Sequence, residues 1–263
     1  AMSVFTSSDI EDAGIQRPED FIALTPNVVM ANTVNVGDTL VTIRGLTSTR
    51  DAESNFAFVV DGVLQTNPNA FNRELLDIAQ IEVLKGPQGA LYGRNATSGA
   101  ILITTKAPSE ESESTAVVGM GVNNSTKLQF VNSGKMGENV YTRFSVSTRD
   151  TDGEHTNVFS NSNNVDHFED TTIRTRFLVD NGDSSWDLRA GISEASGGTI
   201  NFNAVFALPA FQGFGTPGAD QFYKDVNTHQ FTYMFNVPPV NEQETADISL
   251  KYTEDMGDGR EFS

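Results

Sequence analysis

The sequence has no cysteine. No disulfide and no thiolate metal site can form, and the count fits a reducing or an oxidising compartment equally well. Basic residues are also few: 17 Lys and Arg stand against 35 Asp and Glu, for a formal net charge of -18. That balance argues against nucleic acid as a partner. Histidine is scarce, and His155, His167 and His229 all lie beyond residue 108. A serine nucleophile in the first part of the chain would have no base beside it, which makes a hydrolase the weakest function class. No apolar run reaches the length of a transmembrane helix, and no secretory signal peptide is read at the start. Ala1-Met2 reads as a vector scar, so a native N-terminal segment is expected to have been removed.

What is present divides the chain in two. Residues 1–108 hold 7 Lys/Arg and 12 Asp/Glu, net -5, and the remainder holds 10 and 23, net -13. "SSDIEDAG" has a serine cap, early acids and a glycine stop, and "RPEDFIAL" has Pro18 in its first turn, so two short helices are expected near the start. Short strands follow at "TLVTIRG" (39–45), "FAFVVDGV" (56–63), "QIEVLKG" (80–86) and "AILITTK" (100–106), with a small helix at "NRELLDI" ahead of the third. Residues 1–108 therefore read as one compact mixed α/β domain, with the strands ending at Arg44 and Lys85 in the same sheet. Asp61-Gly62 reads as a tight turn and Glu82 as a local pairing partner, both structural. The acidic, polar 109–114 stretch reads as a linker.

Past residue 114 the pattern becomes strict alternation. Val140, Phe144 and Val146 share a face opposed by Tyr141, Arg143, Ser145 and Arg149. Trp186, Leu188, Ala190 and Ile192 oppose Asp187 and Arg189, and "TIRTRFLV" and "ADISLKY" repeat the pattern. With "TAVVGMGV" and "TKLQFVNS", residues 115–263 supply about six strands of roughly 8–11 residues. One reading is a transmembrane barrel with its apolar face toward lipid; the other is a soluble β-sandwich with one wet face, a binding or adhesion module. The connections favour the barrel. "GKMGE", "DNGDS" and "EDMGDGR" are tight turns at one end, while the connections over 150–171 and 193–243 are long and fall at the other. The short "NNS" departs from that rule.

The glycine-rich "QIEVLKGPQGALYGRNATSGAILITTK" (80–106) needs its own account. It lacks the Gly-Lys-Ser/Thr ending of a phosphate loop, and Lys85 precedes its glycines. It also lacks the Gly-x-Ser-x-Gly of a nucleophile elbow. The structural reading fits best: Gly86-Pro87 ends a strand, and Gly89, Gly93 and Gly99 permit close backbone approach or positive φ.

The same stretch, with "VTIRGL" (41–46) and "FVVDGV" (58–63), resembles the ordered plug-domain signatures of TonB-dependent outer-membrane receptors over most of residues 3–108. The resemblance implies an α+β plug domain (1–108) followed by antiparallel β strands of a 22-stranded transmembrane β-barrel, here incomplete. It implies a receptor of the bacterial cell outer membrane with no catalytic activity, cofactor or resident metal. Its partners would be TonB of the inner-membrane energising complex, outer-membrane lipid and a small-molecule or metal-chelate ligand. A ferric siderophore or similar iron complex leads, with haem, cobalamin and glycans as alternatives. Arg44 with Gly45, and Lys85 with Gly86 and Pro87, match the basic motifs that lock the plug to barrel-wall glutamates. The outward plug loops would be 47–55, 65–72 and the tip near Tyr92, making Arg50, Gln65, Asn67 and Tyr92 the ligand-contact candidates. The aromatics of 193–243 are expected to pack on one another or to offer a stacking surface. "VDHFED" (165–170) reads as a solvated acidic loop rather than a calcium site.

Overall fold

The computed structural model describes residues 2–32, 39–49, 53–93, 95–157, 160–162, 165–198, 232–233, 240–256 and 261–262. The chain opens with strand β1 (Met2–Thr6) and helix α1 (Ser7–Asp12). Thr6 caps α1 by accepting from the Asp9 amide, and the Asp9 carboxylate accepts from the Thr6 amide at 2.8 Å, so two free donors are satisfied at once. Helix α2 (Pro18–Ala23) starts on its proline and buries Phe21 and Ile22. Then come β2 (Val28–Asn32), β3 (Thr39–Ile43), β4 (Leu46–Thr47), β5 (Phe56–Val60), β6 (Val63–Leu64), β7 (Ile78–Lys85), the short helix α3 (Gly89–Tyr92) and β8 (Gly99–Thr105).

These strands make two sheets, β1-β7-β8-β5-β6 and β2-β3-β4. The expectation that the Arg44 and Lys85 strands share a sheet is therefore corrected. Arg44 and Gly45 both take positive φ, 52° and 82°, and fold β3 straight back onto β4. With β2 on its other side, β3 has no edge left for β7, whose own edges are taken by β1 and β8. The sheets join face to face: Val41 and Ile43 of β3 enter one core with Ile81 and Val83 of β7. Phe71 ties that core to Phe56 and Phe58 by edge-on ring contacts, with centroids 5.2 and 5.1 Å apart. Asp61 and Gly62 form the expected tight turn, at φ 51° and 85°.

"NRELLDI" is not a helix. A single 3₁₀ turn (Pro68–Ala70) precedes it, and the segment then runs irregularly with Asn72, Glu74 and Leu76 buried. Its amides find partners elsewhere, as when Leu75 N donates to Gln16 O at 2.7 Å, and Asp77 sits at φ 58°. Of Gly89, Gly93 and Gly99, expected to relieve the backbone, Gly99 meets the tightest approach. A Cβ there would collide with the Leu84 carbonyl oxygen across the β7–β8 pair.

The second half is one antiparallel meander: β9 (Glu113–Met120), β10 (Thr126–Lys135), β11 (Val140–Thr151), β13 (Phe168–Asp180), β14 (Ser184–Gly197), β16 (Asn241–Asp255) and the short β17 (Glu261–Phe262). Two further short strands, β12 (Thr156–Asn157) and β15 (Thr232–Tyr233), pair with each other in parallel. β9 starts inside the expected linker. The later strands outrun the roughly 8–11 residues expected, reaching 14 in β14 and 15 in β16. The pairing of Gly197 with Asn241 and Ser184 with Glu254 shows the reason: the ladder continues past the apolar alternation at both ends.

The wall is inverted relative to a soluble sheet. Phe144, Trp186, Ile192, Ile248 and Leu250 of its apolar face are exposed, whereas Arg143, Ser145, Ser147, Asp187 and Ser193 of its polar face are buried. The plug covers the polar face. No second sheet covers the apolar face among the described residues. A sandwich would bury the opposite side.

Candidate functional site

Strand register sets the polar face out in rows. Ser133, Arg143, Arg176, Arg189 and Ser249 stand side by side across β10, β11, β13, β14 and β16. Three like charges directly opposite one another repel, so this row requires carboxylates. The plug brings Asp77 and Asp61, and the wall itself supplies Asp187 from β14. Arg143 Nε and Nη2 donate to the Asp77 carboxylate at 2.5 and 2.7 Å, and Ser145 Oγ adds a third donor at 2.8 Å. The two ion-paired side chains are each only 8% exposed. Arg176 holds Asp187 through two parallel bonds of 2.9 and 2.8 Å and reaches the Lys106 carbonyl of the plug at 3.2 Å. Arg189 shares Asp187 at 2.6 Å, donates to the Asp61 carbonyl at 3.0 Å and pairs with its carboxylate at 3.5 Å. Asp61 is fixed for this by the Thr105 amide and hydroxyl at 2.9 and 2.7 Å.

Toward the long-connection end the pattern repeats. Glu74, its side chain 1% exposed, accepts from Lys127 Nζ at 2.5 Å and pairs with Arg149 at 3.5 Å. The tie between the two halves therefore runs from acidic plug residues to basic wall residues. The sequence reading missed Asp61, Glu74 and Asp77 in this role. The available signal was the clustering of arginines on one face of "YTRFSVSTR", "TIRTRF" and "DLRAG", since charges facing a barrel lumen need counter-charges from whatever fills it.

The basic plug motifs come together elsewhere. The Arg44 guanidinium lies over Gly86, where an added Cβ would stand 3.1 Å from Nη1. Gly86 takes φ 112°, Gly45 φ 82°, and Pro87 follows on an exposed corner. Lys85 Nζ donates to Ser3 Oγ at 3.0 Å and the Pro26 carbonyl at 3.2 Å. Neither cation forms an ion pair among the described residues.

The three loops expected to face outward meet at the end of β5 and β8 opposite the Asp61–Thr105 tie. Asn55 receives Ser48 Oγ at 2.9 Å and Ser98 Oγ at 3.0 Å, and Asn95 donates to Glu53 at 2.6 Å. Gln65 and Asn67 line a small hollow there with Asn95. Asn67 is exposed and Gln65 half-buried. Tyr92 is half-buried against Ala57, Val59, Ala96 and Ala100 and lines no part of that hollow. Arg50 and the aromatic stretch from Phe202 to Phe231 lie outside the described residues. In "VDHFED", Asp166 is a loop carboxylate rather than a free solvated one. Burial pushes its pKa up, but the amides of Glu154 and His155 and the His155 imidazole outweigh that and hold it below the ordinary range. No group of carboxylates and histidines suited to a metal occurs among the described residues.

A polar wall plugged by an acidic, independently cored domain has a known counterpart. Residues 1–100 match the family model described as TonB-dependent Receptor Plug Domain. The first hundred residues thus carry this plug domain, and the proteins to which the longer chain is similar are receptors and transporters of the same kind. The pesticin receptor of Yersinia enterocolitica is 24% identical over 188 residues, covering 71% of this chain and 28% of that protein. The vitamin B12 transporter BtuB of Vibrio vulnificus is 26% identical over 179 residues, covering 66% of this chain and 28% of that protein. In fold, the ferric yersiniabactin uptake receptor FyuA of Yersinia pestis superposes with a TM-score of 0.80 at 18% identity, over 98% of this chain and 38% of FyuA. The chain thus spans under a third of the curated relatives' length.

Proposed function

We propose that this chain is the plug and first wall strands of a bacterial outer-membrane receptor that imports a scarce nutrient, a ferric siderophore or a similar metal chelate, in a TonB-dependent manner. One observation carries the reading. The face of the meander that water would wet in a soluble protein is filled by the plug, and the apolar face is left for lipid. Among similar proteins, one is named a catecholate siderophore receptor, and the superposed FyuA takes up ferric yersiniabactin. Energy transfer from TonB would have to loosen the Asp77–Arg143 and Glu74–Lys127 ties or move the part of the plug that they do not hold. Within this reading Gln65 and Asn67 of the loop hollow, together with Arg50 and Tyr92, contact the ligand. Arg44, Gly45, Lys85, Gly86 and Pro87 form a second lock to wall carboxylates.

The experiment is uptake of ⁵⁵Fe-loaded siderophores by an iron-starved strain carrying or lacking the full receptor, with and without TonB. Import that needs both supports the proposal. Equal import in the receptor deletion across siderophore, haem and cobalamin substrates would end it.

A further inference from the structure

The cleft between plug and wall holds two cations that the ties above leave uncommitted. It encloses a cavity of about 130 Å³, lined by Arg73 of the irregular segment before β7 and by Arg174 of β13. Arg73 Nη2 donates to the Thr245 hydroxyl of β16, and its buried Nε has no acceptor. Arg174 Nη1 donates to the Leu76 carbonyl at 3.0 Å. Neither forms an ion pair among the described residues, whereas Arg143, Arg149, Arg176 and Arg189 each have a carboxylate. Burial, with Arg174 next to it, pushes the Arg73 guanidinium below its ordinary range. Asp170 and Asp247 pull the other way from beyond ion-pair distance. A partly buried cation without a counter-ion is costly, and a guanidinium presents a planar fork of donors matched to carboxylate and oxyanion geometry.

We infer that Arg73 and Arg174 together hold an oxyanionic group, a carboxylate or a tetrahedral oxyanion, in this cleft. Gln65 lines both the cleft and the hollow between the plug loops, so the two spaces are neighbours and a route from the hollow to the two arginines is short. That link to passage rests on the transport reading; the binding does not.

The test uses the full receptor carrying this chain, purified in detergent. Sodium sulfate and sodium acetate are titrated separately by calorimetry at an ionic strength held constant with sodium chloride. One saturable site is expected, weakened at least tenfold by Arg73→Gln and by Arg174→Gln. Tighter acetate binding assigns the cleft to a ligand carboxylate, and tighter sulfate binding assigns it to an inorganic oxyanion. No saturable heat with either anion, or binding unchanged in both variants, overturns the inference. Should the variants fail to fold, hydrogen exchange of residues 72–77 in the wild-type receptor decides: sulfate must slow it relative to chloride, and no slowing overturns the inference. A variant that has lost the anion but still imports its cargo leaves the site standing and removes its role in passage.

Discussion

Asp77→Asn is the sharpest probe of how the two halves are held. Asp77 occupies a left-handed backbone position, which asparagine tolerates, so the substitution removes charge without adding backbone strain. The loss falls on Arg143, 8% exposed, which gives up two charge-assisted bonds to a full carboxylate. Removing one partner of a buried pair costs about 3–5 kcal/mol. Glu113 remains on Arg143 at 2.6 Å, but its side chain is 50% exposed and so offsets only part of the loss. The expected cost to plug docking is about 2–3 kcal/mol. Removing Asp77 also raises repulsion in the Arg143–Arg176–Arg189 row. The assay is a urea titration of the full receptor in detergent, with plug release followed by protease access to residues 1–108. Arg143→Gln and the double variant complete a cycle, and a coupling of about 1–2 kcal/mol is expected. A coupling below about 0.5 kcal/mol, the range of exposed pairs, would refute the view that this tie holds the plug.

Other consequences concern the separate parts. A fragment of residues 1–108 should fold alone around its Phe21–Phe71 core, and Gly99→Ala should destabilise it by about 1–3 kcal/mol in a denaturant titration, because the new methyl meets the Leu84 carbonyl. Residues 113–263 without the plug or detergent should aggregate, since two free sheet edges and exposed Phe144, Trp186 and Leu250 face water; a well-protected monomer by mass and hydrogen exchange would restore the sandwich reading. Residues 1–263 contribute no cysteine of their own, so single cysteines at Asn123 and Asn181, read against the unsubstituted full receptor, report orientation. The first should react with an impermeant label on intact cells and the second should not. Asp166 is held below the ordinary carboxylate range in the folded loop. It therefore contributes stability above that range and loses it as pH falls through the lowered value. The protection factors of the Glu154 and His155 amides, taken against the intrinsic exchange rate at each pH, should fall on acidification, and constant protection factors would sink this account.

Local and periodic features were legible in the chain itself. The two short helices (the first capped by Thr6 rather than by a serine), the Asp61-Gly62 turn, the motifs around Arg44 and Lys85, and the alternation of Phe144 against Arg143 each depend on neighbours a few residues away, where backbone preference and side-chain period decide. Tertiary structure decided the rest. "NRELLDI" has helical composition, yet burial of Glu74 against Lys127 and of Asp77 against Arg143 outweighs a short helix's small propensity. The alternation defined two faces of the wall but not which one is dry. That follows only once the plug occupies the polar side. β3 and β7 fell into separate sheets because all their edges were already paired. The facing of Arg73 and Arg174 arises from residues about a hundred positions apart, and no sequence period relates them. Local sequence sets which conformations are cheap, whereas buried charges acquire partners only when the whole chain has packed.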